Sequence, residues 1–142
     1  MSIGSAIARM RAVGAVFIAT AGCCVAAPSV LAAEAYLISP QDGQTVKSPF
    51  VVRFGLRGMG VAPAGIDMPG TGHHHLVIDA PLPPAGQPVP FDDRHKHFGK
   101  GQTETELSLP PGEHTLQLIL GDHTHVPHDP PVASTQIRIR VE

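Results

Sequence analysis

The sequence predicts an all-β domain, an immunoglobulin/fibronectin-like two-sheet sandwich of about 6–8 strands. Three observations carry that expectation. Segments of strand length alternate apolar and polar residues with a period of two, as a half-buried strand requires. Turn-forming Pro, Gly and Asp stand between them. The chain of 142 residues contains 15 Pro and 15 Gly, and nearly all the prolines lie beyond residue 33, where a fixed φ and a missing N–H leave no room for long helices.

The first segment is of a different kind. Arg9 and Arg11 precede an apolar run over residues 12–27, and Val30-Leu31-Ala32-Ala33 supplies small residues for cleavage. Residues 1–33 therefore read as a secretory signal peptide, and 34–142 as a single β-sandwich domain. Thr20, Gly22 and Pro28 interrupt the apolar run before it reaches a comfortable membrane span, so no span is expected in the mature chain. Cys23 and Cys24 are the two cysteines of the chain and leave with the signal peptide. The mature domain is expected in the periplasm or outside the cell, without a disulfide. Lipidation at Cys23 is the weaker alternative, because Thr20 stands where Leu is usual.

Tyr36 and Ile38 alternate with Leu37 in a first strand over residues 35–39, ended by Pro40 and the turn at Asp42-Gly43. A second strand over 50–56 puts Phe50, Val52, Phe54 and Leu56 on its core face. Residues 57–72 are rich in Gly and Pro and form a loop; without a Lys-Ser/Thr ending it is not a phosphate cradle. Gly72-His73-His74-His75-Leu76-Val77-Ile78-Asp79 is the third strand. Alternation puts His73 and His75 on one face with Val77, and His74 on the other with Leu76 and Ile78. The Pro-rich run over 81–90 is extended and outside any ladder. Residues 91–102 concentrate charge and imidazole between Phe91 and Phe98. A half-exposed strand follows over 103–109, then a turn at Pro110-Pro111-Gly112, then the most strongly patterned strand, over 113–120. His114 holds the place of the tyrosine in an immunoglobulin corner, so a structural role bonded to the preceding turn is expected. Residues 121–131 form a second histidine-rich loop, and 135–141 close the domain as an edge strand guarded by Arg138 and Arg140.

Chemistry collects on the histidines, of which there are 9. The spacing His-x-His occurs at His73/His75, His95/His97 and His123/His125, and two imidazoles on one strand face can grip a single ion. A sandwich brings the ends of the three carrying segments to one rim, so these six residues are the candidate metal ligands. Imidazoles with carboxylates nearby (Asp79, Asp93, Asp122, Asp129) and no thiolate favour copper or zinc. Met59 and Met68 are further candidates for Cu(I). Removing Arg9 and Arg11 from the ten basic residues leaves eight against twelve acidic ones. That balance argues against nucleic acid and anionic membrane surfaces as partners, leaving a metal ion or another envelope protein.

The runs Gly72-His73-His74-His75-Leu76-Val77-Ile78-Asp79, His97-Phe98-Gly99-Lys100-Gly101-Gln102-Thr103-Glu104 and Leu109-Pro110-Pro111-Gly112-Glu113-His114-Thr115-Leu116-Gln117-Leu118 resemble the bacterial exported family catalogued as domain of unknown function 4399. The resemblance implies an exported single-domain protein and carries no activity. Two readings stay open: a periplasmic His-rich protein that handles copper or zinc, and a cell-envelope structural or recognition module whose histidines hydrogen-bond its loops. An enzyme is the least favoured, since no Gly-x-Ser-x-Gly or His-Glu-x-x-His motif is present.

Overall fold

A computed structural model describes residues 32–142 of the chain. The expected signal peptide, apart from Ala32 and Ala33, lies outside the described residues, as do Cys23 and Cys24. The described residues form nine strands in two sheets and no helix; none of their elements is a helix long and apolar enough to cross a membrane. The strands are β1 (Glu34–Ser39), β2 (Thr45–Val46), β3 (Phe50–Arg57), β4 (Gly60–Val61), β5 (Thr71–Ile78), β6 (His95–His97), β7 (Glu104–Leu107), β8 (Gly112–Gly121) and β9 (Ile137–Val141).

One sheet has the order β1-β3-β7 and the other β2-β9-β8-β5-β4, with β6 also on β5. The orders β1-β3-β7 and β9-β8-β5 are those of the A-B-E and G-F-C strands of an immunoglobulin sandwich. Strand β9 was expected at an edge, but β2 pairs with it in parallel, Thr45 opposite Arg140 and Val46 opposite Val141. The Asp42 carboxylate fixes that join by accepting the Arg138 N–H at 2.8 Å.

Strand β5 is paired along both flanks. On one side it runs antiparallel to β8, from His73 opposite Gly121 to Ile78 opposite Leu116. The other side takes β4 at Thr71 and Gly72 and β6 at His75, Leu76 and Val77. Backbone pairing on both flanks holds this strand in place on either side. All residues from Gly72 to Ile78 are buried.

The inner faces meet in one core. Ala35, Phe50, Val52, Phe54 and Leu107 from the first sheet pack against Leu76, Ile78, Leu116, Leu118, Ile137, Ile139 and Val141 from the second, with Phe98 beside them. Each fully buried Leu or Phe contributes about 1.5–3 kcal/mol relative to exposure, which is how the described residues hold together without a disulfide among them. The outer face of the larger sheet is covered as well. Val77 and Ile119 pack there under Val89, with Ala80, Leu82 and Ala133 around them, so the Pro-rich segment forms an arch over the sheet rather than a free loop. Its anchor is the Val89 N–H, which donates to the His125 carbonyl at 2.9 Å.

Candidate metal centre

The alternation of β5 sends His73 and His75 to the outer face and His74 inward. The antiparallel register then puts His97 of β6 directly opposite His75, on the same face. His125 arrives from the loop after β8. Asp122 shapes that loop: one carboxylate oxygen accepts from the Thr124 N–H at 2.8 Å, the Thr124 hydroxyl at 2.7 Å and the Val126 N–H at 3.0 Å. Inside this turn His125 has φ of +70°, a left-handed backbone that costs a non-glycine residue about 1–3 kcal/mol. The strain delivers the ring to the other three.

Each of His73, His75, His97 and His125 offers one nitrogen, and the four nitrogens lie within 4.8 Å of one another. Ring centroids are 4.7 Å apart for His73–His75 and 4.7 Å for His97–His125, and 5.9 Å for the widest pair, His75–His125. His73 Nε2 is 3.1 Å from His125 Nδ1. An ion at about 2.0–2.1 Å from each imidazole needs nitrogens roughly 3–4 Å apart, so a small inward movement of the rings would bring all four onto one ion. The buried nitrogens His73 Nδ1, His75 Nδ1 and His97 Nε2 have no partner among the described residues. Packing four rings together while orphaning buried nitrogens costs stability, and an ion accepting lone pairs from this group supplies a reason for keeping it.

Protonation favours the same reading. Burial, followed by the neighbouring imidazoles His97 and His125, lowers His73 to about 4. Burial lowers His75 to about 3, with His73, His97 and His125 adding to the effect. His97 is lowered by burial and by His125. At neutral pH these three rings are uncharged, with lone pairs free for coordination.

Three glycines shape the space. A Cβ on Gly99 would come 2.3 Å from Cε1 and 2.6 Å from Nε2 of His97. On Gly121 it would come 2.8 Å from His75 Cε1. On Gly72 it would meet the Gly121 carbonyl at 2.6 Å. The sequence reading did not assign these glycines a role, nor Asp122 its part in the turn; the pattern Asp-x-Thr at 122–124 is the one local signal for the latter.

Two of the six candidate ligands stand apart. His95 shares the face of His97 but pairs opposite Val77, about 6.7 Å further along the strand at two residues of rise. Its Nδ1 is instead 2.7 Å from Asp92 Oδ1. His123 turns outward, its Nδ1 3.5 Å from Asp67 Oδ1, because residues 122–125 form a turn, where positions two apart do not share a face. None of Asp79, Asp93, Asp122 and Asp129 belongs to the four-histidine group. Met59 and Met68 line surface pockets beside His128, away from the pocket over the cluster.

The remaining histidines divide as their faces dictate. His74 is fully buried against Phe54, ring centroids 5.0 Å apart, with neither nitrogen partnered among the described residues; burial lowers it to about 4. His114 bridges the start of β8 to the end of β5. Its Nδ1 lies 2.7 Å from Asp79 Oδ2 and its Nε2 2.9 Å from the Pro110 carbonyl, the backward bond of a corner residue. Burial pulls its pKa down, but the bonds to Asp79 and Pro110 and the charges of Asp79 and Glu113 outweigh it, so the net shift is upward.

The cluster lies on the outer face of the sheet, under the loops, rather than at an open rim. A pocket of about 200 Å³ leads to it from outside, lined by His75, His97, His125, Pro88, Val89, Pro90 and Phe91. No curated protein and no solved structure matches the chain. The profile of the family described as "Domain of unknown function (DUF4399)" matches residues 52–142, which carry all four histidines and more than half of the sequence, and the chain belongs to that family.

Proposed function

We propose that this is an exported metal-binding protein of the periplasm whose four-imidazole centre, His73, His75, His97 and His125, binds Cu(II) or Zn(II). The observation that carries the reading is the convergence of four neutral-capable nitrogens within 4.8 Å, with buried nitrogens left unpartnered around them. A donor set of imidazoles alone, with no thiolate, suits both ions, and the order of intrinsic affinities puts copper ahead of zinc. Arg9, Arg11 and the apolar run behind them support export.

The test is calorimetric titration of Cu(II) and Zn(II) into untagged protein and into a His125→Ala variant. One ion per chain is expected, and the variant should lose more than the roughly 10–100-fold typical of removing a residue that only orients a ligand. If wild type and variant bind alike, the metal reading fails. The histidines are then loop-bonding residues of an envelope recognition module.

A further inference from the structure

The pocket above the four histidines is unevenly built. Three of the four imidazoles, His75, His97 and His125, form one wall, while His73 does not line it and lies fully buried below. Pro88, Val89, Pro90 and Phe91 make up the rest of the lining. Proline has no N–H to offer, and the Val89 N–H is already engaged by the His125 carbonyl. Among the described residues no Asp, Glu, Lys or Arg lines the space. A divalent ion held by four neutral imidazoles keeps its full double charge, because no carboxylate or thiolate belongs to the group.

We infer that the metal centre keeps one exchangeable coordination position facing this pocket, and that the position takes a small, weakly hydrated monoanion. The inference rests on the metal reading above and adds the class of ligand. Charge favours an anion, since the four imidazoles bring no negative charge to the ion. The apolar wall selects among anions: a strongly hydrated phosphate or carboxylate finds no hydrogen-bond donors there to replace its water, whereas an ion such as azide needs only the metal. A site with an open position exchanges ligands, in contrast to a closed structural one. The pocket, at about 200 Å³, admits such an ion together with several waters of about 30 Å³ each, so its selection is by the chemistry of the lining and not by size.

The experiment uses untagged protein loaded with Cu(II), followed by absorption and electron paramagnetic resonance while sodium azide is added, with sodium phosphate as the comparison. Azide should produce a new charge-transfer band and a changed copper signal, and phosphate at equal concentration should produce neither. Val89→Phe fills the pocket without removing a ligand and should weaken the azide response by about tenfold or more at unchanged copper stoichiometry. Because Val89 packs on the sheet, Phe91→Ala serves as a second variant. Phe91 is 91% exposed, so its removal leaves the fold intact and should open the apolar lining to water, letting phosphate keep its hydration and perturb the copper signal. A copper-loaded protein indifferent to azide overturns the inference while leaving metal binding in place. An equal azide response in Val89→Phe also overturns it, because the anion then reaches copper by another route. Failure to take up copper at all removes the metal reading and this inference together.

Discussion

His74 and His114 occupy inward-facing positions on neighbouring strands and are opposite cases of a polar ring at a core. His74 has no partner for either nitrogen among the described residues, so it carries the desolvation cost of two polar atoms with no bond in return. His74→Leu should therefore raise stability at pH 7 by about 1–3 kcal/mol, measured by urea unfolding; a fall would show that the ring makes an interaction the packing against Phe54 does not reveal. His114 is satisfied at both nitrogens, and both partners are acceptors, which only the doubly protonated ring can serve. Its pKa is raised in the fold, so its contribution is fully present below the unfolded value of about 6.5 and is lost as pH rises through the raised folded value. His114→Ala should cost about 1–3 kcal/mol at pH 6 and less at pH 9, with metal affinity unchanged. An equal cost at both values would mean that packing alone accounts for the residue. Strand alternation in the sequence was enough to separate His74 from His73 and His75 and to assign His114 to the corner. It did not show that Asp79, read there as a carboxylate near the imidazole cluster, instead holds His114 across a separation of 35 positions.

The elements show why spacing pointed to the segments that carry the cluster and also to His95 and His123, which lie outside it. The long strands β3 and β8 were legible because a period of two repeats several times within each, and β5 because three imidazoles run without a break into the apolar Leu76-Val77-Ile78. Strands β2, β4 and β6 have only two or three residues, too few for any period, and they exist because a neighbouring strand offers a free edge. Register across such an edge is a tertiary fact. It places His97 opposite His75 and His95 opposite Val77, a distinction that His-x-His spacing does not contain. The loop after β8 depends likewise on a side chain, Asp122, whose carboxylate holds the turn from which the strained His125 projects. Asp122→Ala should weaken metal binding about 10–100-fold with all four histidines in place. Gly99→Ala should weaken it as well, by forcing His97 aside. Each is checked by competition against a chromogenic chelator; affinity equal to wild type in both would mean that the rings are positioned by the ion and not by the chain.

At the scale of the whole domain, the four-histidine cluster and the hydrophobic core lie on opposite faces of one sheet. The core contains Leu76, Ile78, Leu116 and Leu118 facing Val52 and Phe54, and of the nine histidines only His74 is both inward-facing and fully buried against it. The fold class could be read from the sequence because this core is written as alternation; the arch of residues 80–91 could not, since a Pro-rich run gives no sign of what it covers. The separation of the two faces decides how metal and folding are coupled. In small metal-dependent domains the ion supplies the folding energy and the chain unfolds without it. Here the core is complete without the ion, so protein stripped by a chelator should keep its β-sheet circular dichroism and unfold cooperatively. Adding metal should then stabilise by mass action alone, about 2.7 kcal/mol at free metal one hundred times the dissociation constant. That increment should vanish in a variant with His73, His75, His97 and His125 all changed to Ala. Thermal unfolding of stripped and loaded protein decides the point: loss of the fold on chelation would make the ion a structural staple, and the exchangeable position facing the pocket would lose its meaning.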